Sequence, residues 1–164
     1  MRIMNGADVA FINAGAIRAS IQPGNITMKM VYDVLPYQNY SCVIDAPGKA
    51  IWDEVNYSLS YLGKEKGAYL QFSGLTVTYD PDAPEDKRAV SIKIGDEDLD
   101  LNKTYKVATI DFIASGGNDN IYFVGYPTVM NDTLDAIIPK YLEQIGKITE
   151  DSIDMGRLIS IKYA

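Results

Sequence analysis

Leu75-Thr76-Val77-Thr78-Tyr79 alternates apolar with hydroxyl-bearing side chains and is rich in β-branched residues, which predicts a strand with one face toward a core. Working outward, Asp80 to Lys87 carries Pro81 and Pro84 among charges and reads as an exposed loop. Val90 to Ile94 and Thr104 to Ile110 read as two further strands, joined by the acidic turn Gly95-Asp96-Glu97-Asp98 and a short connection. The carboxylates Asp96, Glu97, Asp98 and Asp100 lack the Asp-x-Asp-x-Asp-Gly spacing and distal Glu of a calcium loop, so a solvated hairpin tip is expected there. Gly116 to Asn120 is a loop. Asp132 is expected to cap a helix through Leu134, Ile137, Ile138, Tyr141, Leu142 and Ile145, with a kink at Pro139. Leu158 to Tyr163 reads as a last strand.

In the other direction, Ile51, Val55, Leu59 and Leu62 fall at helical spacing after Pro47-Gly48, which predicts a helix from Lys49 to Leu62. Tyr40 to Ala46 is an expected strand. Thr27 is an expected N-cap for a short helix from Met28 to Leu35, stopped by Pro36. The apolar run within Asp8 to Asn13 predicts a buried strand, feeding the small-residue turn Ala14-Gly15-Ala16. Met1 to Gly6 resembles a last helical turn closing on Asn-Gly, which sets the expectation of a polypeptide continuing upstream. Clustered strands with interspersed helices predict an α+β fold: a single domain over residues 1–164 with a mixed β-sheet and packed helices.

Composition narrows the chemistry. The 164 residues, 47% hydrophobic and 23% charged, suit one soluble globular domain. The net charge of −7 opposes unaided binding to a nucleic acid polymer or an anionic membrane, and no apolar run is long enough for a membrane span. With no His, imidazole bases and His-based metal sites are excluded. The lone Cys42 lies inside Tyr40-Ser41-Cys42-Val43-Ile44 and reads as a small buried hydrophobe. Tyr outnumbers Phe twelve to four, which strand packing and binding sites both accommodate.

Three segments could carry a ligand. Asn13-Ala-Gly15-Ala-Ile-Arg18 offers an amide, backbone N–H groups and a guanidinium beside one turn. That set suits an anion or the polar edge of a base, or is a plain turn with a surface Arg. Pro36 projects Tyr37 from the end of a helix, either as a stacking platform or as a lid on the core. Phe112 precedes the flexible Gly116-Gly117-Asn118-Asp119 turn, where a second ring could close a sandwich while Asn118 or Asp119 bonds hydroxyls.

Taken together the segments are more specific. Asn-x-Gly-x-Ile-Arg, Leu-Pro-Tyr, Ser-Gly-Leu-x-Val-x-Tyr-Asp (Ser73 to Asp80), Lys-x-Tyr-x-Val-Ala-Thr (Lys103 to Thr109) and Asp-Phe-x-Ala-x-Gly-Gly occur here in family order. The chain resembles the C-terminal domain of the 5′-nucleotidases, a family that includes UDP-sugar hydrolases and cyclic-nucleotide phosphodiesterases. The resemblance implies a nucleoside or nucleotide partner recognised by this domain, with catalysis left to the chain's own N-terminal metallophosphoesterase domain and its two divalent metal ions. It implies no catalytic residue, metal or other cofactor within this sequence, and an extracellular, cell-surface or periplasmic setting. By the same resemblance Tyr37 and Phe112 are the stacking rings, Asn13 contacts the base and Arg18 the phosphate side. Gly15 and Gly117 belong to the turns that approach the ligand. The family's ribose-binding Asp aligns with Asn118, and Asp119 follows it. Ala14 and Ala16 stand where the family has glycines, and Tyr37 where it usually has Phe. The alternative is a non-catalytic binding or structural module that keeps the fold without a working pocket.

Overall fold

In the computed structural model, which describes residues 1–153 and 156–162, the chain runs β1 (Val9–Asn13), α1 (Met28–Val34), β2 (Tyr40–Pro47), α2 (Gly48–Leu59), β3 (Leu70–Ser73), β4 (Leu75–Tyr79) and β5 (Ala89–Ile94). It continues through β6 (Glu97–Asp98), β7 (Thr104–Ile110), α3 (Asp111–Ala114), β8 (Thr128–Thr133), α4 (Leu134–Ile145) and β9 (Leu158–Ser160). The α+β class with mixed sheets holds, with the strands divided between two sheets. One is ordered β3-β1-β7-β2-β8 and the other β6-β5-β4-β9. In the first, β1 and β7 are parallel while the other neighbours are antiparallel; in the second, β4 and β9 form the parallel pair.

The central strand β7 shows why this arrangement is stable. Val107, Ala108, Thr109 and Ile110 are all fully buried, as expected of a strand covered on both faces. The Thr109 hydroxyl meets its hydrogen-bonding need by donating to the Phe11 carbonyl (3.0 Å). Helix α2 packs against β2 of one sheet and β5 of the other. Its Ile51, Val55 and Leu59 join Val9, Ile44 and Val107 with Val77 and Ile92 in one core. The helix stops at Leu59, three residues short of the predicted end, where the Ser60 N–H closes the last turn on the Asn56 carbonyl. Gly48 at its start is required: a Cβ there would sit 2.1 Å from the Asp100 carbonyl oxygen.

Thr27 caps α1 as expected, its hydroxyl accepting from the Met30 N–H (3.4 Å). Cys42 is fully buried, and burial pushes its thiol up to about 11. Met1 to Gly6 forms a single 3₁₀ turn closed by left-handed Gly6.

Three expectations are corrected. The acidic turn does form a hairpin tip, but β5 pairs across it with the two-residue β6, through Lys93↔Asp98 and Ile94↔Glu97. Strand β7 lies in the other sheet. Asp132 does not cap α4: it sits on β8, and Thr133 holds the N-cap position without a side-chain bond. The Asp132 carboxylate instead pairs with Lys140 at 3.3 Å. The last strand ends at Ser160; Tyr163 lies outside the described residues. The structure also adds β3, β8 and α3, none of which was expected.

Candidate functional site: a cleft at the carboxyl ends of β1 and β7

Because β1 and β7 run parallel, their carboxyl ends emerge on the same side, carrying Asn13 and Ile110. Strand β2 runs antiparallel to β7 with Ser41 opposite Ile110, so the Tyr37–Asn39 segment preceding β2 reaches the same end. The topology therefore gathers all three candidate segments around one cleft of about 330 Å³. Asn13, Gly15, Tyr37, Phe112 and Asn118 line it, together with Ala16, Asn39, Gly67 and Ile110.

Each wall has a local cause. Asn13 is buried as the last residue of β1. After it the chain turns in a 3₁₀ step, with the Ala14 N–H donating to the Tyr69 carbonyl and the Gly15 N–H to the Gly67 carbonyl. A Cβ on Gly15 would lie 3.1 Å from the Gly67 Cα, so two small residues bring these backbones close. Pro36 ends α1, and Tyr37 stands 58% exposed beyond it. Phe112, 41% exposed, sits in the first turn of α3. The two ring-bearing segments are tied together by Asp111, whose Oδ1 accepts from Asn39 Nδ2 and from the Phe112 N–H, both at 2.9 Å.

The turn after α3 supports the Phe112 ring. A Cβ on Gly117 would fall 2.6 Å from three ring atoms of Phe112, so the ring rests on bare backbone there. Asn118 and Asp119 follow, each in the left-handed region at φ 60°, a conformation that Asn and Asp tolerate better than other side chains. Tyr57 of α2 donates its hydroxyl to the Asn118 carbonyl at 2.5 Å, and burial keeps that phenol well above its ordinary range.

Three candidate residues are not on the lining. Arg18 is exposed and donates from Nη1 to the Gly15 carbonyl at 3.4 Å; Gly117 lies against Phe112, and Asp119 faces solvent. Ala16, Asn39, Gly67 and Ile110 line the cleft without having been candidates. Asn39 carries a readable signal, an amide two residues past Tyr37 in the same segment, although its bond to Asp111, 72 residues on, does not.

Two features bear on what the cleft can do. The amides of Asn13 and Asn118 each carry a buried polar atom with no hydrogen-bond partner. Buried amide groups are rarely left unpaired, so both are available to a bound molecule. The lining is otherwise apolar or neutral, with no ionisable side chain except the Tyr37 phenol. Among the described residues, no three His, Cys, Asp or Glu side chains are grouped so as to hold a metal ion.

Two mixed sheets around a shared core, with a small-molecule-sized cleft at the end of a parallel strand pair, define an α+β domain of the kind that can carry a ligand site. Residues 1–125 match the family described as the 5′-nucleotidase, C-terminal domain, and the chain belongs to that family. Its relatives include a 5′-nucleotidase of Vibrio cholerae, 33% identical over 139 residues, which cover 84% of this chain and 24% of that protein. The protein UshA of Escherichia coli is 34% identical over 126 residues, covering 77% and 21% respectively. The crystal structure of a 5′-nucleotidase precursor from Thermus thermophilus superposes with a TM-score of 0.89 at 30% identity, covering 99% of this chain and 33% of that one. The chain thus spans about a quarter or less of the length of these curated relatives. Helix α4 and its flanking strands lie beyond the family match yet within the Thermus superposition.

Proposed function

We propose that the chain is the substrate-recognition domain of a 5′-nucleotidase-type, metal-dependent phosphohydrolase. A nucleoside base enters between the Tyr37 and Phe112 rings, Asn13 bonds the base edge, and Asn118 bonds a ribose hydroxyl. Arg18, outside the lining beside Gly15, faces the phosphate. Asp119, exposed next to Asn118, takes the ribose role only if the turn shifts by one residue. Hydrolysis belongs to an N-terminal metallophosphoesterase domain, where two divalent ions would supply Lewis-acid activation of phosphoryl oxygens and water; this chain alone is inactive. The enzyme works at the cell surface, in the periplasm or outside the cell.

The observation that carries this reading is the pairing of two exposed rings with two unsatisfied amides around one cleft. Aromatic faces bind any base without regard to sequence, while amides supply direction. The test is phosphate release from AMP and UDP-glucose. The parent enzyme should release phosphate only without chelator, and this chain should release none with divalent metal added. Release by the chain alone, or release that chelator does not suppress, would overturn the division of labour.

A further inference from the structure

Glu54 sits in the middle of α2, fully buried, where its Oε1 accepts from the Asn120 side-chain amide. Glu54 Oε2 and Asn120 Oδ1 are both buried and unpartnered. No cation pairs with Glu54 among the described residues. A carboxylate there would be a buried bare charge, and the amide bonded to it carries a second unused acceptor. One proton on Oε2 removes both problems. The acid then donates to Asn120 Oδ1 while the amide donates to Oε1, closing a ring of two complementary bonds.

We infer that Glu54 is a positioning residue for the cleft: as a neutral acid ring-bonded to Asn120, it holds the 116–120 turn in the shape that supports Phe112 and presents Asn118. This deepens the proposed recognition role and, in its ligand part, rests on it. The helix grips the turn at two points, through Glu54 to Asn120 and through Tyr57 to the Asn118 carbonyl. The turn holds two left-handed residues, Asn118 at the first grip and Asp119 between the two, and just before them lies Gly117 under the Phe112 ring. Releasing Asn120 therefore loosens the support beneath one ring and the amide beside it.

Burial raises the Glu54 carboxyl to about 8, partly offset by the Asn120 bond, so the acid is neutral at pH 7. The ionisable group that interacts with it is Tyr57, one turn along α2, which in turn interacts with Tyr61 and with the exposed Asp119 of the turn. From the strands packed on α2, Asp45 of β2 pairs with Lys106 and Lys93 of β5 with Asp98, while Arg88 donates to the Leu59 carbonyl. Between 4.5, the ordinary value, and about 8 the folded chain keeps a proton that the unfolded chain has lost. Stability therefore declines as pH rises through that window and levels off above it.

The experiment follows adenosine affinity, melting temperature and the Asn120 side-chain amide signal from about pH 5 to pH 9.5 in wild type, Glu54→Gln and Glu54→Ala. Adenosine has no group titrating in that range. Wild type should lose about tenfold in affinity as pH passes 8, with the amide signal shifting alongside. Gln replaces the acid ring with an amide ring, so E54Q should keep neutral-pH affinity throughout and lose the pH slope in melting. E54A should bind weakly at every pH; should it fail to fold, the wild-type and E54Q profiles decide. A flat wild-type profile, or E54Q retaining the wild-type slope, would overturn the inference. If wild type binds no adenosine while melting and the amide signal still titrate and E54Q flattens both, the recognition reading fails and the Glu54–Asn120 switch stands.

Discussion

Phe112→Ala should weaken adenosine binding by about 1–3 kcal/mol, or about 5- to 150-fold, the range found when aromatic platforms under a base are removed. The ring is 41% exposed and stands at the cleft wall, so truncation removes contact surface from the ligand and little from the core. Melting temperature should accordingly change far less than affinity. Tyr37→Ala removes the other exposed ring of the lining and should lower affinity in the same direction. The double variant should lose less than the sum of the two, because a base held on one side only has already lost its alignment. Calorimetric titration of the three variants measures this; equal affinity in wild type and F112A would remove the ring from the site.

A second large effect falls on stability. Phe11→Ala should cost about 3–5 kcal/mol, as for other buried Phe truncations, lowering the melting temperature by about 6–20 °C for a chain of this length. Phe11 is 1% exposed, with ring centroids 5.7 Å from Phe123 and 6.4 Å from Phe72. These contacts join β1, β3 and the segment leaving the Asn118 turn, so no single element can move in to fill the void. The cavity lies two residues before Asn13 on the same strand. Thermal unfolding checks the prediction, and a shift under about 2 °C would show that the three rings do not form a shared support.

How much of this was legible beforehand follows the range of the forces involved. Leu75–Tyr79 and Thr104–Ile110 declare themselves by local pattern, because burial and alternation are written into consecutive side chains. Strand β8 is exposed from Thr128 to Asp132, so no buried alternation marks it, and its Asp132 mimics a helix cap. The pairing of β5 with β6 rather than β7 is a choice between partners, which a periodic pattern does not encode. The cleft was partly legible: motif order named Asn13, Gly15, Tyr37, Phe112 and Asn118, which the fold brings to one lining. Glu54, Tyr57 and Asn120 were not read, since their contacts span 61 and 66 residues. A signal did exist for Glu54, which occupies the same helical stripe as Ile51, Val55 and Leu59, where a solvated acid does not belong.

The most direct test of the central claim is an NMR titration of this chain with adenosine, following backbone and side-chain amide signals. Shifts should concentrate on Asn13, Gly15, Tyr37, Phe112 and Asn118. Shifts absent at saturating ligand, or confined to the broader groove between Ile21–Ile26 and the end of α4, would contradict a nucleoside cleft at the ends of β1 and β7.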